Sequence, residues 1–149
     1  MRITDAFLGE HGVLYALFDH IEAELGAGSD PTAHAGLLRT VLHAHARAED
    51  ELLFDEMAGR PHGAGGPAGA MMEEHRQVSA LLDRSARAGG DELRDLLREI
   101  MDLARTHFRR EEEAAFPLAE ELLDAGRLQA LGAEWGARRA VQLRGGSHG

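Results

Sequence analysis

The sequence predicts an all-α protein: an antiparallel up-down four-helix bundle with an internal two-fold repeat and a short C-terminal helix. Three observations predict it. Helix formers (Ala, Leu, Glu, Arg) fill most of the 149 residues, and runs of strand-favouring residues are absent. Apolar positions recur at steps of three and four along long stretches separated by glycine-rich breaks. One line is also written twice, as HARAEDELLF from His45 and HFRREEEAAF from His107, 62 positions apart.

The elements follow in order. Thr4 or Asp5 can cap a first helix running to about Leu25, where GAGSDP ends it. Asp30 caps the second, with Pro31 at the first helical position, where a missing N–H costs nothing. That helix runs to about Met57 and stops in GRPHGAGGPAG. A third spans about Ala68 to Ala88 and ends at Gly89-Gly90. Asp91 caps the fourth, which runs to about Leu123, and Pro117 inside it is expected to kink its last turns. Arg127 to Leu143 read as a short amphipathic fifth helix, followed by a flexible GGSHG tail. Residues 1–126 are thus expected to form the bundle, and 127–149 to belong to the same domain.

The formal charge of −10 argues against nucleic acid or an anionic membrane as partner. No apolar run approaches a membrane span, the first residues lack a signal-like apolar core, and a cytoplasmic location is expected. There is no cysteine, which excludes disulfides, thiolate nucleophiles and thiolate-ligated metals.

The repetition is wider than the two quoted lines. EHGVLYALFD from Glu10 resembles EHRQVSALLD from Glu74, so the first hairpin repeats in the second. On the second helix, Leu38, Leu42, His45, Glu49 and Leu52 share the core stripe. On the fourth, Ile100, His107, Glu111 and Leu118 do so, with Leu103 and Ala104 near them. His11 lies between Phe7, Leu14 and Phe18, and His75 between Met71 or Met72, Val78 and Leu82. Four histidines and two glutamates therefore point into an apolar core. An unpaired buried carboxylate costs several kcal/mol, so this cluster wants a cation. Histidine and glutamate four apart reach one centre, and a carboxylate can bridge two metals. Imidazoles with carboxylates suit iron, with manganese or zinc as competitors.

Other features have plainer readings. The acidic runs Glu49-Asp50-Glu51 and Glu111-Glu112-Glu113 read mostly as solvated faces, and only their first members fall on the stripe. Phe54, Phe116 and Tyr15 read as core packing, although Tyr15, one turn after His11, can approach the site. His20, His34, His43, His62 and His148 read as non-ligands.

With these residues in view, the chain resembles the hemerythrin family, and more closely its bacterial HHE cation-binding domains. Glu10-His11, HARAEDELLF, Glu74-His75 and HFRREEEAAFP carry the resemblance, which covers about residues 4–124. It implies a non-haem di-iron centre, two Fe ions with an oxo or hydroxo bridge, that meets O2, NO or peroxide. His11, His45, His75 and His107 would be terminal ligands, with Glu49 and Glu111 as bridges and Glu112 as the alternative to Glu111. The oxygen carriers have a further histidine where this chain has Ser79, which leaves one more open position. That implies electron transfer to the ligand, with weak peroxidase, catalase or NO reductase activity, rather than reversible oxygen carriage. Two other readings compete: iron handling at a labile centre, and a metal-free helical interaction module.

Overall fold

The computed structural model describes residues 1–60 and 66–144. The glycine-rich loop around His62 and the tail with His148 lie outside the described residues. Among those described, the chain is all helix, in the order α1 (Ile3–Gly26), α2 (Pro31–Glu49), α3 (Asp55–Ala58), α4 (Pro67–Ser85), α5 (Gly90–Arg110), α6 (Phe116–Leu122) and α7 (Ala125–Arg144). No helix among them is long and apolar enough to cross a membrane.

The Asp30-Pro31 start signal holds. Asp30 Oδ1 accepts the Thr32 N–H at 3.0 Å, with Pro31 at the head of α2. Pro67 begins α4 in the same way. Two caps differ from expectation. Helix α1 is capped at Arg2, whose N–H donates back to Asp5 at 3.2 Å, so Asp5 lies inside the first turn. Helix α5 is capped at Gly89, because Gly90 takes φ +56°, a left-handed conformation that costs glycine little. The C-terminal helix is longer than expected, running from Ala125 to Arg144.

A π-helical turn interrupts the second and the fourth helix of the repeat where periodicity predicts unbroken α-helix. Asp50–Phe54 separates α2 from α3, and Glu111–Ala115 separates α5 from α6. Each closes with an i→i−5 bond, Asp55 N–H to Asp50 and Phe116 N–H to Glu111. Pro117 sits just past the second turn, yet the first turn forms with no proline after it. A following proline is therefore not required for the turn; what the two turns share is their place at the glutamate of the repeated HxxxE line. Single π turns inside α-helices occur frequently at functional sites.

Among the described residues the core has two apolar clusters. One gathers Ile3, Phe7, Leu53, Phe54, Met57 and Phe116; the other gathers Phe18, Ile21, Leu38, Leu97, Ile100 and Phe108. Each such side chain contributes roughly 1.5–3 kcal/mol by burial. The four stripe histidines fall between these clusters on α1, α2, α4 and α5, so the apolar ends clamp a polar layer. Leu103, expected near the core face, is 40% exposed, whereas Ala104 is buried. Helix α7 lies along α1, and Gly132 makes this possible: a Cβ there would collide with the Met1 carbonyl.

Candidate metal centre

All six stripe residues meet in that layer. Glu49 and Glu111 are 0% exposed, and His11, His45, His75 and His107 are between 1% and 7% exposed. Their Nε2 atoms converge on the two carboxylates. His45 lies 3.0 Å and His75 3.2 Å from Glu49 Oε1, and His107 lies 3.1 Å from Glu111 Oε1. His11 lies between the two, at 3.4 Å from Glu49 and 3.3 Å from Glu111. These contacts are close enough for ionic attraction but lack hydrogen-bond alignment. All four Nε2 atoms, all four carboxylate oxygens and His107 Nδ1 are buried without a hydrogen-bond partner. Native cores leave few such groups. A cation satisfies lone pairs that face one another in this way.

The donors divide into two sets. His11, His45, Glu49 and Glu111 offer atoms all within 4.8 Å of one another, and so do Glu49, His75, His107 and Glu111. Either set could hold a metal ion, and both include the same two carboxylates.

Behind each imidazole stands another acid. His11 Nδ1 donates to Glu112 at 2.7 Å, His45 to Glu10 at 2.6 Å and His75 to Asp50 at 2.7 Å. His107 Nδ1 faces Glu74, but at 3.8 Å. Carboxylates in this place set the tautomer and orientation of a ligating imidazole. The reading of Asp50 and Glu112 as part of solvated acidic runs is corrected here. At each π turn two consecutive acids face inward, the first to the centre and the second to a histidine Nδ1. Glu112 belongs to neither donor set, and it also accepts the Tyr15 hydroxyl at 2.9 Å. Sequence reasoning missed Glu10, Asp50 and Glu74, although Glu-His in α1 and α4, and the acid after each stripe glutamate, were part of the repeat. It also missed Phe108, stacked on His11.

Charge is shared unevenly. Burial pushes Glu49 up, but His45 and the other imidazoles outweigh it and hold the carboxyl well below its usual range. Burial and the charge of Glu49 together drive Glu111 well above that range. Burial pulls His45 and His75 down, yet Glu49 and their Nδ1 acids prevail and raise both to about 9. His107, without a bonded acid behind it, is lowered to about 3 by burial and the positive charge of His75. Burial raises Glu10, but bonds from His45, Arg139 and Trp135 bring it down to about 2. Burial, then Glu112, pushes the Tyr15 phenol above its usual value.

The remaining described histidines stay away. His20 is exposed, His43 is half-buried, and His34 is half-buried with its ring 6.0 Å from that of His20. Phe54 and Phe116 are buried core side chains.

Nothing among curated proteins or solved structures matches the chain significantly. The family profile described as the Hemerythrin HHE cation binding domain matches residues 2–119, and again 70–137. With that match over most of its length and a buried histidine–glutamate layer, the chain belongs to the hemerythrin HHE cation-binding domain family.

Proposed function

We propose that this chain is a non-haem di-iron protein that binds or reacts with O2, NO or peroxide, built on an antiparallel up-down four-helix bundle. The observation that carries the reading is the sharing of Glu49 and Glu111 by two four-donor sets. Two cations held this way would take His11 and His45 at one position and His75 and His107 at the other, with both glutamates common. Neutral imidazoles, carboxylates and no thiolate favour iron over softer metals. Two irons supply one-electron redox steps and coordination positions for a small ligand.

The chain's own residues do the rest. Phe7, Phe108 and Phe116 wall the layer with apolar rings and exclude water. Glu10, Asp50 and Glu112 orient three of the imidazoles. A cavity of about 30 Å³ touches His45, His75 and His107 and is lined by Val78, Ser79 and Ala104. It has room for one or two water-sized molecules, which suits a diatomic ligand or peroxide.

A second reading, iron handling at a labile centre, draws support from His107, whose two ring nitrogens both lack partners. Protein purified without a histidine tag and loaded with iron should hold about two irons per chain. It should also absorb in the near ultraviolet when oxidised. One tightly held zinc per chain with no iron uptake would overturn the di-iron reading. Two irons that leave freely and never respond to oxygen, NO or peroxide would favour iron handling.

A further inference from the structure

The two halves of the polar layer match until one looks behind Glu10 and Glu74. These residues precede His11 and His75 in the repeat and face the Nδ1 atoms of His45 and His107. Glu10 is fully engaged. Its Oε1 accepts the Trp135 indole N–H at 2.7 Å and Arg139 Nε at 2.8 Å, while Oε2 accepts His45 Nδ1 at 2.6 Å. Arg139 Nη2 adds a longer bond to Oε2 at 3.4 Å and one to the Ala44 carbonyl at 3.3 Å, tying α7 to both α1 and α2. Among the described residues Glu74 has only the exposed Arg110, and its other oxygen stops 3.8 Å from His107.

The cause of the difference is topological. Helix α7 has no counterpart in the repeat and packs along α1, where Gly132 allows its close approach to the N-terminus. His45 therefore has a braced carboxylate bonded behind it, whereas at the other end Asp50 bonds His75 but Glu74 does not reach His107. A carboxylate bonded to the second nitrogen fixes the ring and raises its basicity, and losing such a partner typically costs about 10–100-fold in metal affinity.

We propose that Trp135 and Arg139 are positioning residues for His45, and that through them α7 makes the His11/His45 end of the centre hold its metal more tightly than the His75/His107 end. This rests on the reading that both ends bind a metal. Trp135 is the chain's single tryptophan, so its fluorescence reports on the α7 side alone.

The test is anaerobic loading of the full chain with Fe(II), followed by release into excess chelator, recording chelate absorbance and tryptophan fluorescence together. The unmodified chain should release iron in two phases, with the fluorescence change accompanying the slow one. Arg139→Ala and Trp135→Phe should each speed the slow phase by about tenfold and leave the fast phase alone. Arg139→Lys should restore most of the slow phase, and Arg110→Ala should leave it unchanged. Trp135→Phe keeps an aromatic ring in place and removes only the N–H donor, so a packing defect in the alanine variant cannot decide the outcome. Fluorescence that follows the fast phase, or a slow phase untouched by both α7 substitutions, overturns the inference while leaving a two-metal centre intact. A chain that takes up no metal overturns the two-metal reading and this inference with it.

Discussion

Phe108 lies flat on His11, with ring centroids 4.0 Å apart and planes 10° from parallel. The side chain next to His107 thus serves the histidine of another helix, and Ala46, its counterpart after His45, has no ring to offer. Phe108→Ala should cost about 3–5 kcal/mol of stability and let the His11 ring turn. Phe108→Leu should cost less. Urea unfolding of the metal-free protein measures both, and an alanine variant as stable as its parent would mean that the stack does not support the layer.

The two buried glutamates should respond differently to the same substitution. Without metal, Glu49 carries the charge that balances His45 and His75, whereas Glu111 is driven toward its neutral form by burial and Glu49. Glu49→Gln should therefore destabilise the metal-free protein by about 3–5 kcal/mol. Glu111→Gln swaps one neutral group for another of equal size, at a cost below about 1.5 kcal/mol. Both variants should lose metal. Equal stability losses in denaturant would refute this division of charge.

Metal loading should release protons. Near neutral pH, His45 and His75 hold protons that a metal must displace, about two per fully loaded chain, and the upward shift of Glu111 acts in the same direction. Titration calorimetry in buffers of differing ionisation enthalpy counts them, and a count near zero would contradict the assignment. The pH dependence of stability should also invert on loading. In the metal-free protein His45 and His75 rise from 6.5 to about 9, so their contribution is complete below 6.5 and is lost as pH rises through about 9. In the loaded protein stability should instead fall toward acid, as protons compete for the imidazoles.

Ser79 lines the small cavity beside His75 and His107. The reduced, iron-loaded protein should oxidise quickly in air without a long-lived oxygen-bound form. Ser79→His places a further imidazole one turn after His75 and should lengthen the life of such a form. Stopped-flow absorbance after mixing with oxygen reads both, and a stable, reversible adduct in the unmodified chain would reverse the expectation.

His43 is two residues from His45, its side chain 43% exposed, with Asp83 3.9 Å away. His43→Ala should change stability by no more than about 0.5 kcal/mol and leave metal content alone. His107→Ala should weaken one metal and keep the helical fold. Equal metal loss from both would place the wrong helix face inward.

Helical periodicity alone put His11, His45, Glu49, His75, His107 and Glu111 on inward stripes, because a 3.6-residue repeat leaves a one-dimensional record of which face is apolar. The duplicated HxxxE line likewise made two related halves legible, and the Asp30-Pro31 start was readable from local chemistry. The π turns left no such record: their i→i−5 bonds change the register over a few residues, too short a stretch to alter an apolar pattern. As a result Asp50 and Glu112, charged residues that read as a solvated face, were turned toward His75 and His11 only in the folded chain. The pairing of Glu10 with Trp135 and Arg139 joins residues more than a hundred positions apart. No local spacing encodes that contact, because it exists only once α7 has packed back along α1.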